Sequence, residues 1–489
     1  MSADHPDSVV NHPATEGDVT EEGTLPEGPL SATDPQVRAF TRDYLDFLSD
    51  SPTAFHAGAQ AAERLEEVGF QAVDPTAQWP KAPGPYFLKT AGAVIAWVQF
   101  PGAQGFSLVA AHTDSPGLKL KPIAHHHTRD GWGQLLVETY GGLLYNSWLD
   151  RELRVAGAVR DRNGVTHLIT TGPVAWIPQL APHLGREVNS SGLVLDPQRH
   201  LQPVWTIDEP DRDILEEVAS LIGLDSRDDL LASELFLTPA QEPGLFGLDH
   251  QFVAGARQDN LSSCFAGITA LAQAWDQAAF TGKDGGIWPS QRMPVLALFD
   301  HEEIGSGTPT GARGPLLATV LRRVARAMGA NGDQFEQMMA CTVLISADAA
   351  HSVNPSYEEK HDPQSRPVLG RGPVLKVDAD QRYVTSLDGI AVWREACDAS
   401  TIPSQVFVSH SSLRAGSTVG PMLATQLGIP AVDVGVPLLS MHSTREMTHV
   451  VDPYLLAQAM TAYWTRMFTH GSHASDRDAR LAGLTEWKE

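Results

Sequence analysis

Two adjacent glutamates, Glu302 and Glu303, are the residues of this sequence whose position points most clearly to chemistry. They follow an apolar run at 295–299, which predicts a buried strand. Two carboxylates at the end of such a strand are costly to desolvate unless a positive charge lies beside them, and a metal ion is the obvious candidate. Because adjacent side chains of an extended backbone point in opposite directions, one carboxylate would bind the metal and its neighbour would be a general base. The alternative is a solvated turn after a strand.

Four further polar clusters also follow apolar runs. The runs span 106–111, 251–255, 341–346 and 431–436, and the candidate residues after them are His112, Asp114, Asp259, Asp348 and His442. Apolar runs without strict alternation predict strands that are covered on both faces. Open α/β sheets bind their ligands beyond the carboxyl ends of such strands. A histidine or an acid at each of these ends therefore favours one joint site.

Taken singly, each of these residues has an ordinary explanation. His112 would be a structural histidine, and Asp259 would cap the helix whose pattern begins there. Asp348 would be a solvated strand end, and His442 would cap a loop. The set is less easily explained in this way, because all of its members lie at comparable places in the α/β pattern.

The five candidate ligands are of the types that bind first-row divalent cations. Imidazole and carboxylate suit Zn²⁺, with Co²⁺ or Mn²⁺ as alternatives. The two histidines and three acids would serve two ions, and one shared acid would hold these ions roughly 3.5–4 Å apart. Asp114, two residues beyond His112, would accept the other imidazole N–H and fix its tautomer.

The pattern of elements predicts an α/β protein with an insertion. Residues 1–34 are rich in Pro, Glu, Asp, Ser and Thr, and their composition predicts a disordered acidic arm. Strands and helices alternate over 35–117 and again over 250–470, which we assign to a catalytic domain. Between 118 and 249 short strands and turn residues predominate, which predicts an inserted module. Residues 471–489 form a polar tail.

Composition narrows the class of protein. With 42% hydrophobic and 19% charged residues and no apolar stretch near the ~20 residues of a membrane span, the chain should be globular, without a membrane partner. Its formal net charge of -24 argues against nucleic acid as a partner. No signal peptide is visible, and three cysteines cannot form a disulfide framework, so we expect a cytoplasmic protein.

Three long motifs resemble those of the aspartyl aminopeptidases, two-metal exopeptidases that remove acidic residues from peptide N-termini. The motifs lie at 112–116, 300–306 and 441–447, and shorter matches extend over about 36–470. The resemblance implies a three-layer α/β/α zinc-peptidase domain that is interrupted by a β-rich dimerisation domain. It also implies a homo-oligomer, a tetrahedral dodecamer with active sites that face an interior chamber.

The resemblance also implies roles for the candidate residues. Asp259 would bridge the two metals, His112 and Asp348 would complete one site, and Glu303 and His442 would complete the other. Glu302 would be the general base, with Asp114 supporting the site from behind the ligands.

Two further residues enter only through the resemblance. Lys376 would meet the acidic side chain of the substrate, and Tyr383 would donate a hydrogen bond to the tetrahedral intermediate. Without the resemblance, Lys376 would be an ordinary surface lysine after a strand. The chain departs from the family at Asn146, where a histidine is usual, and over 409–416. The alternatives are a related two-metal exopeptidase with neutral preference and a non-catalytic peptide-binding shell.

Overall fold

The computed structural model describes residues 30–282 and 290–466 of the chain. The predicted acidic arm lies outside the described residues up to residue 29, and the predicted polar tail lies outside them completely. Within the described residues, no helix is both long and apolar enough to cross a membrane.

Eleven α-helices occur in the described residues. In chain order they are α1 (Pro35–Asp50), α2 (Ala54–Glu67), α3 (Val188–Ser191), α4 (Pro197–His200), α5 (Ile214–Leu221), α6 (Gln258–Gly282), α7 (Leu316–Ala327), α8 (Gly332–Ala340), α9 (Leu387–Ala399), α10 (Val419–Leu427) and α11 (Val451–Thr465). Four short 3₁₀ turns span Tyr145–Trp148, Arg227–Asp229, Glu302–Ile304 and Glu358–Lys360.

The strands form four sheets. In chain order they are β1 (Gln71–Ala72), β2 (Gly84–Thr90), β3 (Ala93–Gln99), β4 (Gly105–His112), β5 (Gly117–His127), β6 (Trp132–Tyr140), β7 (Glu152–Asp161), β8 (Thr166–Thr170), β9 (Ala175–Trp176), β10 (Val204–Ile207), β11 (Leu230–Pro239), β12 (Gly244–Phe246), β13 (Phe252–Gly255), β14 (Arg292–Phe299), β15 (Val343–Ala347), β16 (Ala350–His351), β17 (Val374–Val377), β18 (Gln405–Val408), β19 (Ala431–Gly435), β20 (Pro437–Leu438) and β21 (Glu446–His449).

The largest sheet has nine strands in the order β1-β2-β3-β14-β4-β15-β19-β17-β18. Its centre, β14-β4-β15-β19, is parallel, whereas β3 and β17 pair antiparallel with the outer members of this group. Every residue of β4, β14, β15 and β19 is buried, as their continuous apolar runs predict for strands that are covered on both faces. Helices α2, α6, α9 and α11 cover one face, and α7, α8 and α10 cover the other. The predicted three-layer α/β/α fold is confirmed.

The parallel centre brings four carboxyl ends to one edge of the sheet. In the register of the central strands, the last residue of β4, His112, lies opposite the last residue of β14, Phe299. Strand β15 ends at Ala347, immediately before Asp348, and β19 ends at Gly435. A Cβ on Gly435 would overlap the carbonyl oxygen of Asp348, so only glycine lets the chain after β15 lie this close to β19. Polar residues after these strands therefore converge.

A second body lies between β4 and β13 in the sequence. Its seven-stranded sheet has the order β11-β5-β6-β10-β9-β7-β8, and β11 also pairs with β7, so six of its strands close into a ring. It has its own apolar core of buried residues, which extends from Leu118 to Leu237. The predicted change to short strands and turns after residue 118 coincides with this body. The exact limits of the inserted module, 118–249, stay a prediction.

Candidate metal centre

The five predicted ligands come together in two groups at the carboxyl edge of the large sheet. In the first group, Nε2 of His112 lies 3.4 Å from Oδ1 of Asp259 and 3.7 Å from Oδ1 of Asp348. In the second group, Nε2 of His442 lies 3.3 Å from Oδ2 of Asp259 and 3.5 Å from Oε1 of Glu303. Asp259 therefore belongs to both groups, with one carboxylate oxygen turned towards each.

The spacing within both groups fits a divalent cation better than it fits hydrogen bonds. Two ligand atoms that each lie about 2.0–2.2 Å from a tetrahedral Zn²⁺ are roughly 3.3–3.6 Å apart. The four nitrogen–oxygen distances above fall in or next to this range and are long for hydrogen bonds. In the described part of the chain, Oδ1 of Asp259 and Oε1 of Glu303 are buried without a hydrogen-bond partner. A cation in each group would satisfy both orphaned oxygens.

Each histidine is held through the nitrogen that faces away from its group. Nδ1 of His112 lies 3.0 Å from the carbonyl oxygen of Asp114, and Nδ1 of His442 lies 2.9 Å from the carbonyl oxygen of Gly142. A carbonyl only accepts, so Nδ1 carries the proton in both rings. The lone pair of Nε2 is then available to the ligand group, which is the tautomer that a metal requires.

Without a cation, protons would take its place. Burial alone would lower the pKa of His442, but Asp259 and Glu303 raise it to about 10. For His112, burial likewise opposes charge, and Asp114, Asp259 and Asp348 hold its pKa well above the usual value. Burial, together with the charge of Asp259, raises the pKa of Glu303. These shifts describe a site that needs positive charge between its carboxylates, which divalent cations supply.

Asp114 supports the site from behind, although its contact with His112 differs from the prediction. The backbone carbonyl of Asp114 makes the short contact to Nδ1, and the carboxylate is farther away at 3.4 Å. The carboxylate instead accepts hydrogen bonds from the backbone N–H groups of Glu302 and Glu303, at 3.0 and 3.1 Å, and from the hydroxyl of Tyr140 at 2.8 Å. It thereby fixes the turn that carries both glutamates.

The sequence predicts that the two glutamate side chains point in opposite directions because their backbone is extended. This prediction about the backbone is wrong. Glu302 and Glu303 lie in a 3₁₀ turn, between His301 and Gly305, which both have left-handed backbone angles. Both carboxylates still reach the centre, and each lies close to His112. Burial and the neighbouring acids raise the pKa of Glu302 to about 8, although His112 acts in the opposite direction.

Of the two predicted substrate residues, Lys376 lies on β17 of the large sheet, and Tyr383 lies in the loop between β17 and α9. Lys376 on β17 is only 1% exposed, so the interpretation as a surface lysine is wrong. Its Nζ donates to the carbonyl oxygen of Ala349 at 3.2 Å and lies 5.0 Å from the ring centroid of Tyr383. Burial disfavours its charge, but the carboxylates of Asp348 and Asp433 raise its pKa above the ordinary value. Lys376 therefore stays a cation.

Sequence reasoning missed the role of Glu446, although it lies in a quoted motif. Its side chain is buried, and its two oxygens accept from the backbone N–H groups of His442, at 2.8 Å, and of Asp259, at 3.1 Å. One carboxylate thus fixes the main chain of two candidate ligands. Burial and the charge of Asp259 raise its pKa to about 8. The sequence gives no signal for this contact, because residues 259 and 446 meet only through the fold.

A cleft that is partly open to solvent lies beside the centre and between the two bodies. The catalytic body contributes Asp259, His442 and Arg257 to its walls, and the second body contributes Trp148 and Phe236. Lys376 and Tyr383 do not line it. The cleft reaches the side of the centre that Asp259 and His442 form.

Comparison with known proteins decides the family. The model of the family described as "Aminopeptidase I zinc metalloprotease (M18)" matches residues 47–464, most of the chain. The chain belongs to the M18 family of zinc aminopeptidases. It is therefore a metalloaminopeptidase, and the predicted resemblance is confirmed at the level of the family.

Relatives of this M18 chain span nearly its whole length. It is 44% identical over 443 residues to a "Probable M18 family aminopeptidase 2" of Streptomyces coelicolor, which covers 89% of this chain and 99% of the relative. A solved complex of Ape4 and Nbr1 superposes with a TM-score of 0.82 at 30% identity, covering 93% of this chain and 88% of the other. The S. cerevisiae mApe1 dodecamer superposes with a TM-score of 0.76 at 25% identity, covering 88% and 97%.

We predict that Glu446→Gln weakens zinc binding by this M18 chain about 10–100-fold, the range seen when groups behind metal ligands are replaced. Each of the two backbone N–H groups needs an acceptor oxygen, and the glutamine side chain has only one. Its NH₂ group would therefore face one of the two N–H donors. Competition with a fluorescent zinc chelator measures the change.

Asp452→Asn is the matched control for this variant. Asp452 is also a buried carboxylate that accepts two backbone N–H groups, those of Gly370 and Gly372, but it does so away from the ligand groups. We expect Asp452→Asn to lower the melting temperature and to keep the zinc affinity. An unchanged zinc affinity in Glu446→Gln would contradict the role of Glu446.

Proposed function

We propose that this chain removes N-terminal residues from peptides with two divalent metal ions, and that it prefers Asp and Glu at the N-terminus. The observation that carries the two-metal assignment is the shared carboxylate of Asp259, whose oxygens turn to opposite ligand groups. His112 and Asp348 would hold one ion, and Glu303 and His442 would hold the other. Zinc is the preferred metal of such nitrogen and oxygen ligands, and it is the metal of the family.

In this mechanism the protein positions the reacting groups and moves the proton. When bound, the two ions supply Lewis acidity, which polarises the peptide carbonyl and makes water a stronger nucleophile. Glu302 takes the proton from the attacking water and then gives it to the leaving amine. Tyr383 would donate a hydrogen bond to the tetrahedral intermediate, which stabilises its developing negative charge. The turn that carries Glu302 is held by Asp114, so the base has a fixed position.

The first test of this function is Glu302→Gln. The amide keeps the size of the side chain and removes the proton acceptor, so we expect turnover to fall by about 10²–10⁴-fold or more. Zinc content by elemental analysis should stay at the level of the parent protein. Glu67→Gln, the same change at an exposed position of α2, should leave turnover unaltered. Near-normal turnover in Glu302→Gln would exclude this residue as the base.

The proposed acidic preference depends on a cation that can meet a carboxylate inside an acidic site. Lys376 supports it, because this side chain is buried next to the ligand Asp348 and stays charged. One observation favours the alternative, a neutral preference. The Nζ of Lys376 already donates to the carbonyl oxygen of Ala349. In that case its charge would only compensate Asp348 and Asp433.

Lys376→Ala separates the two preferences. If Lys376 pairs with the substrate carboxylate, loss of the pair should cost about 2–5 kcal/mol in kcat/KM for N-terminal Asp and Glu. Slow cleavage of N-terminal Ala or Leu should change little, and because one protein is compared on two substrates, general damage to the fold cancels. Lys360→Ala, at an exposed position, is the control. Equal losses on acidic and neutral substrates would show that Lys376 does not recognise the side chain.

We further propose that residues 118–249 form a dimerisation module and that dimers build a closed dodecamer. The described residues include twenty-two exposed large hydrophobic side chains, and fifteen of these lie in the module. The module itself makes up less than a third of the described residues. This enrichment supports a protein contact on the module. The similarity to the S. cerevisiae mApe1 dodecamer supports the same assembly.

Light scattering coupled to gel filtration tests the assembly. We expect a mass near twelve times the 52.7 kDa of one chain. Ile123→Glu, on the module, should lower the mass because it charges an apolar side chain that is 76% exposed in the isolated chain. Leu387→Glu is the control, since Leu387 is 83% exposed but lies outside the module. A stable monomer of the parent protein at micromolar concentration would rule out the assembly.

A further inference from the structure

A short segment of the second body, Tyr140–Ser147, reaches the metal centre of the catalytic body. It begins at the last residue of β6 and enters the 3₁₀ turn Tyr145–Trp148. The rest of the second body builds its own core around its own sheet. This segment is therefore the place where the inserted chain meets both ligand groups.

At its first residue the segment contacts the support of the first ligand group. The hydroxyl of Tyr140 donates to Oδ2 of Asp114 at 2.8 Å, and Tyr140 is only 8% exposed. The same carboxylate accepts the backbone N–H groups of Glu302 and Glu303, and the backbone of Asp114 holds His112. Tyr140 thus supplies the side-chain donor that completes the hydrogen bonding of a buried anion, which is costly to leave unpaired.

Two residues later the segment contacts the second ligand group. The carbonyl oxygen of Gly142 accepts from Nδ1 of His442 at 2.9 Å, and the N–H of Leu144 donates to the carbonyl oxygen of His442 at 3.1 Å. Ser147 binds Thr444 through two further hydrogen bonds, at 3.1 and 2.6 Å. The ring and the main chain of His442 are therefore both held by the second body.

The backbone between these contacts must come close to a ligand. Gly141 has a φ of 73°, in the left-handed region, and a Cβ there would lie 3.1 Å from Cβ of Glu303. A side chain at this position would strain the backbone and press on the ligand. Glycine allows the segment to pass directly over Glu303 and to reach both groups at once.

We propose that Tyr140–Ser147 is a structural part of the metal centre, in which Tyr140 positions the Asp114 support and Gly142 fixes the tautomer of His442. This inference rests on the ligand set of the proposed function. It assigns to the inserted body a second task besides assembly, because metal affinity then depends on its position relative to the catalytic body. Tyr140 and Gly142 are positioning residues, since they touch the ligands and their support rather than the substrate.

Tyr140→Phe tests the inference, because it removes one hydroxyl and leaves the ring. Competition with a fluorescent chelator should show zinc binding that is about 10–100-fold weaker than in the parent protein. The cobalt-loaded variant should also show shifted d–d absorption bands, since the orientation of His112 and of the glutamate turn changes. A role in stability alone would leave both measurements unchanged.

Tyr463→Phe is the control, because it also removes a buried hydroxyl that donates a hydrogen bond, in this case to the backbone carbonyl of Val343. It should keep the parent zinc affinity and cobalt spectrum. Parent-like zinc affinity and spectrum in Tyr140→Phe would overturn the inference while the ligand set stands. A parent protein that binds no zinc or cobalt would overturn the proposed function as well, so the two failures are distinguishable.

Discussion

Mutual repulsion between buried carboxylates governs this structure. Glu302, Glu303, Asp114, Asp259 and Asp348 converge on two imidazoles at one edge of the large sheet. Such a group of anions is strongly destabilising in a dry interior unless positive charge compensates it. Divalent cations are the compact source of that charge, and the orphaned oxygens of Asp259 and Glu303 point to where it is needed. Bound cations would therefore stabilise this edge of the sheet as well as take part in the chemistry.

The surrounding elements follow from the need to hold acids in fixed places. Parallel strands that are buried along their whole length bring His112, Asp348 and the glutamate turn to the same edge. Behind these residues, Asp114 and Glu446 accept hydrogen bonds from backbone N–H groups of the glutamate turn and of the candidate ligands Asp259 and His442. Hydrogen bonds to backbone N–H groups stabilise a carboxylate without neutralising the ligands beside it. Hydrogen bonds within the protein therefore set the positions of the candidate ligands.

Much of this site could be predicted from the sequence, because His112 and Asp348 lie directly at the ends of strands that apolar runs predict, and Glu303 lies in the turn that follows another such strand. Three features could not be predicted. The turn at Glu302 depends on a left-handed His301, which local patterns do not favour. The burial of Lys376 depends on its place opposite Asp433 in the antiparallel pair of β17 and β19. The contacts of Tyr140 and Glu446 join residues that are far apart in sequence, so only the assembled fold brings them together.

The order of the ligands along the chain has a consequence for synthesis. The first of them is residue 112 and the last is residue 442, close to the end of the described chain. A ribosome-bound chain that stops before residue 442 has no second histidine, and it also lacks Glu446, which fixes the main chain at Asp259. The complete centre therefore forms only after residue 446 has been translated. An aminopeptidase built in this way stays inert until that segment has been made.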